Sequence, residues 1–211
     1  CICSYSLFTS LAFVHNPDTE KWSYSAIPKS EGPIAKIGIN LGAPGDRMDK
    51  SGTLWLDYPS IGGSSPDVKV SVKGKNLKWF RQHSSLLNPK SLSWVASSGA
   101  EGLDQFAIQL DAKSDKEQEY QVTLLFVEPK AHKAGERVFD VLVGDQVKLS
   151  QVDIAKEAGA TWKTIEKQFT AKAKGELTLT LKSRSGQPIL SGVKVSRVKG
   201  SKVSSSSQPG S

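Results

Sequence analysis

Hydrophobic and polar residues alternate along most of this chain with the period of two that is typical of β-strands with one buried face. The pattern is clearest in the central segment 120–127, where Tyr120, Val122, Leu124 and Phe126 fall on one face of an extended chain. This segment is therefore predicted to be a half-buried strand, and the rest of the fold is expected to be organised around it.

The same alternation predicts further strands along the sequence. These lie at 35–41, 67–72, 77–80, 106–110, 139–143, 147–149, 165–169, 177–181 and 189–195. The charged loop 111–119 is expected to close a hairpin between the strands at 106–110 and 120–127. One helical turn is expected to end at Gly159. Because no segment sustains a helical period, the sequence predicts an all-β fold, an antiparallel β-sandwich of roughly eight to ten short strands.

Several motifs in the centre of the chain occur together and in a recognisable order. They are FVEP, then ERVFDVLVGDQVKL, then VDIAKEAG, within residues 126–159. The run resembles the malectin-like family, carbohydrate-binding sandwiches whose pattern is a FAE segment, VFDV, a turn of Gly plus a polar residue, and DI. The resemblance implies a jelly-roll-like β-sandwich that holds a sugar at one end, with loop aromatics stacked on it.

The segment 39–66 is dense in Gly, Pro, Asp and Ser, which favour a long ordered loop. Its GTLWLDYPS run resembles the opening of malectin-like modules that are fused to quinoprotein-like (PQQ-type) β-propellers. Trp55 and Tyr58 lie inside this run. A large aromatic residue in such a loop either closes the end of the core or offers a flat apolar face to a ligand. Both are candidate ligand residues; the core position is favoured for Trp55, and both alternatives stay open for Tyr58.

The resemblance also implies a set of ligand-binding residues. Phe106 lies where a site aromatic precedes a strand, Asp104 stands beside it, and Tyr58 is a loose counterpart in the first loop. Trp94 is expected on the wall of the same groove. The acid that the family places two positions before a proline, ahead of its last strand, is replaced here by Gly186. A groove lined by Tyr58, Phe106 and Trp94 would favour glycan binding, whereas buried rings would favour a structural module.

The domain organisation follows from composition and from a second, shorter resemblance. Residues 1–30 resemble the closing segment of an upstream propeller-like domain, and 31–199 are expected to form the malectin-like sandwich. The tail 200–211 is rich in Ser and Gly and is expected to be disordered. Residues 1–14 have neither the basic region nor the cleavage site of a signal peptide. No apolar run is long enough to cross a bilayer. The resemblance implies an extracytoplasmic location, periplasmic or secreted.

The charge balance widens the range of possible partners. With 28 Lys+Arg against 21 Asp+Glu the net charge is +7, which favours acidic partners such as nucleic acid, anionic glycans or a membrane surface. Many of the lysines, however, alternate with apolar residues, as in 68–73, and are expected on the solvated face of a strand. Because the basic residues are not clustered with aromatic ones, nucleic acid is not an expected partner.

The sequence contains no recognisable catalytic or metal-binding motif. The histidines are scattered over separate segments, as His15, His83 and His132. Cys1 and Cys3 form a CxC that lacks the second ligand pair of a zinc site. HExxH, GxSxG, Walker A and GxGxxG motifs are all absent. The sequence therefore predicts no cofactor, no metal and no enzymatic activity.

Two acids, Glu128 and Asp140, interrupt otherwise apolar strands. For Asp140, a carboxylate that accepts hydrogen bonds from backbone amides inside the sandwich is favoured over a catalytic one. Glu128 is expected to be a strand-end residue without a special role. The resemblance implies a non-catalytic module that binds a glycan or polysaccharide, including an anionic one, as an accessory domain of a larger propeller-containing protein. The alternative is a structural or adaptor sandwich that packs on its parent domain or on a protein partner and binds no sugar.

Overall fold

The computed structural model describes residues 14–15, 22–23, 34–60, 66–87, 92–111, 113 and 116–198. The strands are β1 (Val14–His15), β2 (Trp22–Ser23), β3 (Lys36–Leu41), β4 (Arg47–Met48), β5 (Leu54–Tyr58), β6 (Val70–Lys73), β7 (Lys78–Arg81), β8 (Ser98–Glu101), β9 (Gln105–Gln109), β10 (Glu117–Phe126), β11 (Val138–Val143), β12 (Gln146–Val152), β13 (Ile165–Lys174), β14 (Glu176–Ser185), β15 (Ile189–Leu190) and β16 (Gly192–Arg197). The helices are a 3-10 turn (Ser84–Leu86), α1 (Ser93–Ala96) and α2 (Ile154–Ala158).

Two antiparallel layers form the body of the fold. One layer has the strand order β12-β11-β14-β9-β6 and the other β13-β10-β16-β3-β5-β4, and the β13–β14 turn joins them. Every pairing is antiparallel except that of β3 with β5, which is parallel. The all-β antiparallel sandwich predicted from the alternation is therefore confirmed, with more short strands than expected. No helix in the described ranges is long and apolar enough to cross a membrane.

The main core lies between the two layers. Phe106 and Leu179 enter it from the first layer, and Val122 and Leu124 enter it from the second. Each of these side chains is 0% exposed. Burial of one such side chain stabilises the fold by about 1.5–3 kcal/mol. The apolar face predicted for the 120–127 strand is thus the face that holds the layers together.

The expected hairpin between 106–110 and 120–127 is not formed. Strand β9 pairs with β6 and β14, whereas β10 pairs with β13 and β16 in the opposite layer. The two strands therefore lie in opposite layers. The prediction was wrong because alternation shows which face of a strand is buried, and two strands that face each other across a core carry the same alternation as two neighbours in one sheet.

The loop predicted at 39–66 is partly strand, because β4 and β5 lie within it. The piece that begins at Trp94 is the short helix α1. The predicted helical turn is confirmed as α2: the Asp153 side chain accepts a hydrogen bond from the Lys156 amide, and Gly159 ends the helix with a left-handed φ of 67°.

One end of the sandwich carries most of the irregular structure. Asn40 of β3 pairs with Gly192 of β16 and with Asp57 of β5, and Leu125 of β10 also pairs with Gly192. The C-terminal ends of β3, β5 and β10 therefore meet the start of β16. We call this the loop end. The small sheet β15-β8-β7 is placed here too, because β15 directly precedes β16. Helix α1 packs against β8 and β10.

The predicted upstream segment 1–30 and the tail 200–211 lie outside the described residues, except for 14–15 and 22–23. Those two pairs of residues form a two-stranded antiparallel ladder. Both boundaries stay predictions.

Candidate functional site

A cleft of about 660 Å³ opens at the loop end, between the 40–47 loop and the segments 81–84 and 94–98. Its volume is within the range of small-molecule sites, roughly 300–1,000 Å³. One indole, two guanidinium groups, one carboxylate and several other polar groups line it, contributed by Trp94, Arg47, Arg81, Asp46, Asn40, Gln82, His83, Ser97 and Ser98. We call it the loop-end cleft. It offers an aromatic ring beside many hydrogen-bonding groups.

Trp94 is fixed in the cleft wall by two contacts. The guanidinium carbon of Arg47 lies 4.7 Å from the Trp94 ring centroid. The ring of Trp55 meets Trp94 edge to face, with centroids 5.9 Å apart. Trp55 is itself 0% exposed. A buried indole in β5 thus orients the indole that reaches the cleft.

The turn between β4 and β5 is organised by one carboxylate. Asp49 accepts hydrogen bonds from the amides of Ser51 and Thr53 at 2.8 and 2.9 Å, and from Trp55 Nε1 at 3.0 Å. Burial raises the pKa of Asp49, but the hydrogen bonds from Thr53, Trp55 and Ser51 outweigh it and hold this pKa well below its usual range. Asp49 therefore stays ionised. It holds strand β4 in the position from which Arg47 contacts the Trp94 ring.

Strand β7 extends the surface beyond the cleft. Arg81 lines the cleft and donates from Nε to the Gly42 carbonyl oxygen at 3.1 Å. Trp79, two residues earlier, lies on the same face of β7 and is 40% exposed. Its ring centroid is 6.0 Å from that of Tyr58. The amide of Gly42 donates to the Tyr58 carbonyl at 2.7 Å, which ties this aromatic pair to the cleft rim.

The predicted ligand residues do not line one common groove. Trp94 lines the loop-end cleft, and half-buried Tyr58 lines a smaller groove of about 260 Å³ formed with residues 66–70. Phe106 and Trp55 are each 0% exposed, so neither ring presents a face to solvent. Exposed Asp104 accepts a hydrogen bond from the Lys75 amide at 3.2 Å. Phe106 occupies an inward position of β9, which places its ring between the layers instead of at a ligand.

A buried ionic network lies at the same end of the sandwich and was not predicted. Arg137 and Glu128 are each 1% exposed, and Arg137 Nε donates to Glu128 Oε2 at 2.7 Å. Arg137 Nη2 donates to Glu101 Oε1 at 2.8 Å, and Lys130 Nζ reaches Glu101 Oε2 at 2.7 Å. Arg137 Nη1 also donates to the carbonyl oxygen of Gln187. We call this set the Arg137 network.

The network favours the charged form of Glu101. Burial raises the pKa of Glu101, but hydrogen bonds and charge from Lys130 and Arg137 outweigh it, and the pKa lies below its usual range. Glu128, expected to have no special role, is thus a buried ion-pair partner. The sequence signal was a charged residue directly after the apolar run 124–127. Residues 122–127 are buried on both faces, so the prediction of a half-buried strand there was wrong.

Comparison with protein families decides the identity of the fold. The profile of the Malectin domain matches residues 39–193. This chain belongs to the malectin domain family. A search of curated proteins found no match.

Solved structures with the malectin-like fold include parts of much larger proteins. The beta-glucuronidase of Bacteroides uniformis matches with a TM-score of 0.60 and 16% identity over 78% of this chain and 18% of its own. The ANXUR2 extracellular domain of Arabidopsis thaliana matches with a TM-score of 0.55 and 15% identity over 77% of this chain and 41% of its own. The plant receptor-like kinase FER matches with a TM-score of 0.51 and 18% identity over 77% of this chain and 42% of its own. This chain therefore spans less than half of each of these proteins.

Gly186, which stands where the family resemblance implies an acid, is closely packed against the backbone. Gly186 has a φ of +63°, and a Cβ built on it would lie 2.4 Å from the Glu136 carbonyl oxygen. The following residue, Gln187, is held by Arg137. No side chain fits at position 186 without a backbone shift, so this corner of the loop end is closed.

Asp140 is engaged in structural bonds, as expected. It accepts from the Gln151 amide at 2.8 Å and from Arg184 Nε at 2.8 and 2.9 Å. The bonds from Arg184 and from the Gln151 amide hold the pKa of Asp140 below its usual range. Within the described ranges, no three His, Cys, Asp or Glu side chains are grouped so that they could hold a metal ion.

Proposed function

We propose that this malectin domain is a non-catalytic carbohydrate-binding module whose ligand lies in the loop-end cleft. The observation that carries the proposal is the combination of Trp94 with a ring of polar side chains in a cleft of about 660 Å³. Membership of the malectin family supports the same ligand class.

The chemistry of the lining suits a sugar. Pyranose rings present apolar C–H faces that pack on aromatic rings, and their hydroxyls exchange hydrogen bonds with water for bonds with protein. The net gain from each such bond is about 1 kcal/mol. Asn40, Gln82 and His83 supply donors and acceptors around the indole. Affinity is therefore expected to be weak and to depend on Trp94.

The test is a glycan array and titration with wild type, Trp94→Ala and Met48→Ala. Met48 is 59% exposed and does not line the cleft, so it controls for loss of an exposed apolar side chain. Trp94→Ala should abolish binding while circular dichroism and the melting curve show a folded protein. Met48→Ala should bind as wild type does. Binding that survives in Trp94→Ala would exclude this cleft.

Two other aromatic substitutions separate stacking from folding. Tyr58→Ala tests whether the smaller groove also takes part, since Tyr58 is half-buried beside it. Phe106→Ala removes a core ring that is 0% exposed and should cost about 3–5 kcal/mol of stability. Its loss of binding, if seen, would report unfolding and not a lost sugar contact.

A structural or adaptor module is the second candidate. The complete burial of the Phe106 and Trp55 rings favours it, because two of the predicted ligand residues serve the core. The exposed ring of Trp79 would then be a contact for a parent domain or protein partner. A folded wild type that binds no glycan on the array would support this function over sugar binding.

We also propose that the module is an accessory domain of a larger, propeller-containing and extracytoplasmic protein. The resemblance of residues 1–30 to a propeller segment supports this. So does the occurrence of the fold within larger chains, one of them an extracellular domain. Sequencing the gene around this segment, and fractionating the source cells with an antibody to the module, tests both statements.

A further inference from the structure

A continuous strip of aromatic and cationic side chains crosses the loop end. Its residues are Tyr58, Trp79, Arg81, Arg47 and Trp94. Trp79 and Arg81 are linked along β7, Arg81 and Arg47 line the loop-end cleft together, and Arg47 lies over Trp94. We call this the arginine strip. It joins the exposed aromatic pair to the cleft.

The two arginines of the strip bind no carboxylate among the described residues. Arg81 uses Nε for the Gly42 carbonyl, and Arg47 has only its contact with the Trp94 ring. The other arginines of the chain are all engaged with side-chain oxygens: Arg137 with Glu128 and Glu101, Arg184 with Asp140, and Arg197 with Gln118. Arg81 is thus an exposed cleft residue whose terminal nitrogens bind no oxygen of the described residues.

We propose that the arginine strip binds an acidic oligosaccharide, one that carries carboxylate or sulfate groups; the inference rests on the proposed carbohydrate-binding function. A guanidinium presents parallel N–H donors that match the two oxygens of a carboxylate or sulfate. Indole rings beside it pack on the sugar faces. The cleft lining contains two arginines, Arg47 and Arg81, and one acid, Asp46. Asp46 Oδ1 already accepts a hydrogen bond from the Asp57 amide at 2.9 Å.

The strip also sets the length of the ligand. Trp79 does not line the cleft but lies two residues along β7 from Arg81, a separation of about 6.6 Å between Cα atoms. A ligand that reaches from the cleft to Trp79 must extend past Arg81 along β7, so we expect it to contain more than one sugar ring. Affinity should rise from monosaccharide to tetrasaccharide, and this rise should depend on Trp79.

The experiment is calorimetric titration with matched probes. These are galacturonate tetrasaccharide, the same tetrasaccharide with its carboxylates methyl-esterified, a sulfated tetrasaccharide, and galacturonic acid monosaccharide. The variants are Arg81→Ala, Arg81→Lys, Trp79→Ala and the control Arg197→Ala. Arg197 is exposed, and it lies at the far end of β16 from the loop end. Each titration is run at two salt concentrations, and the melting curve of each variant is recorded.

The acidic tetrasaccharides should bind more tightly than the esterified one. Arg81→Ala should lower their affinity about 10- to 100-fold, the range of a hydrogen bond to a charged group, and Arg81→Lys should lose less. Arg197→Ala should change it less than about 2-fold, since a distant exposed charge is screened. Trp79→Ala should weaken tetrasaccharides about 3- to 10-fold and leave the monosaccharide unchanged. The preferred anion, carboxylate or sulfate, is identified by comparing the two acidic tetrasaccharides.

The failures of the two proposals are distinguishable. If wild type binds the esterified tetrasaccharide as tightly as the acidic ones, the inference is overturned and the carbohydrate-binding function stands. Equal losses in Arg81→Ala and Arg197→Ala would overturn it as well, because binding would then follow net charge. If neither these probes nor the glycan array shows binding, both proposals fail.

Discussion

Replacing Arg137 by methionine should destabilise the protein more than any other single charge removal in the described ranges. Methionine keeps most of the side-chain volume but removes every donor of the guanidinium. Glu128, which is 1% exposed, then loses its 2.7 Å partner and retains the Lys130 amide at 3.2 Å and His132 Nε2 at 4.0 Å. Glu101 retains Lys130, whose side chain is 56% exposed. The main cost therefore falls on Glu128.

The magnitude follows from the burial of the pair. Removing one partner of a buried ion pair costs about 3–5 kcal/mol, because the remaining charge is left uncompensated. In a domain of this size each kcal/mol lowers the melting temperature by about 2–4 °C. Arg137→Met should thus melt roughly 6–20 °C below wild type. Adding Glu128→Gln to Arg137→Met should recover part of the loss, since the orphaned charge is removed.

The assay is urea unfolding followed by tryptophan fluorescence and circular dichroism, with Arg197→Met as the control. Arg197 is exposed and donates one hydrogen bond to the Gln118 amide oxygen. Its replacement should change the free energy of unfolding by no more than about 0.5 kcal/mol. The m-value should be the same in all variants if each of them unfolds in one cooperative step. A loss below about 1 kcal/mol for Arg137→Met, or no recovery with Glu128→Gln, would refute the reasoning.

Three further predictions follow from other features. Gly186→Ala should cost about 1–3 kcal/mol because φ is +63° and the new Cβ meets a main-chain oxygen at 2.4 Å; Gly135→Ala, also at positive φ but with nothing within 4 Å, should cost less in the same urea assay. Stability should fall as the pH is lowered from about 5, because the folded-state pKa values of Asp140 and Glu101 lie below their unfolded values, and Asp140→Asn should flatten this slope in melting curves. Deleting residues 1–30 should leave the melting of the sandwich nearly unchanged, and a loss of cooperative unfolding would contradict this.

The strand content could be predicted because alternation is a local property of the sequence. The 120–127 pattern identified the central strand, and the glycine at 159 identified the end of α2. The partners of each strand are a non-local property, and the 106–110 strand shows the limit. Its alternation matched both a hairpin and a position across the core, and only the folded chain distinguishes these.

The candidate site was predictable only in its aromatic part. Tyr58 was identified because a large ring in a loop is unusual, Trp94 was expected on the wall of the same groove, and both lie near the loop end. Arg47 and Arg81 were missed because a charged residue in a sequence segment without clear alternation resembles any solvated one. The Arg137 network was missed because its members come from three separate segments, and no spacing in the sequence relates them.

The position of the cleft wall depends on two places where the chain has no side chain. A Cβ at Gly38 would lie 2.2 Å from the Trp55 ring, and one at Gly192 would lie 2.4 Å from Val95 Cγ1. Trp55 and α1 therefore rest directly on the backbones of β3 and β16, and Trp94 moves with them. A methyl group added at Gly38 or Gly192 would push against Trp55 or Val95 and shift the part of the wall that carries Trp94. Ligand affinity can thus be altered from strand positions that no ligand touches, so loss of binding in a variant does not by itself locate the site.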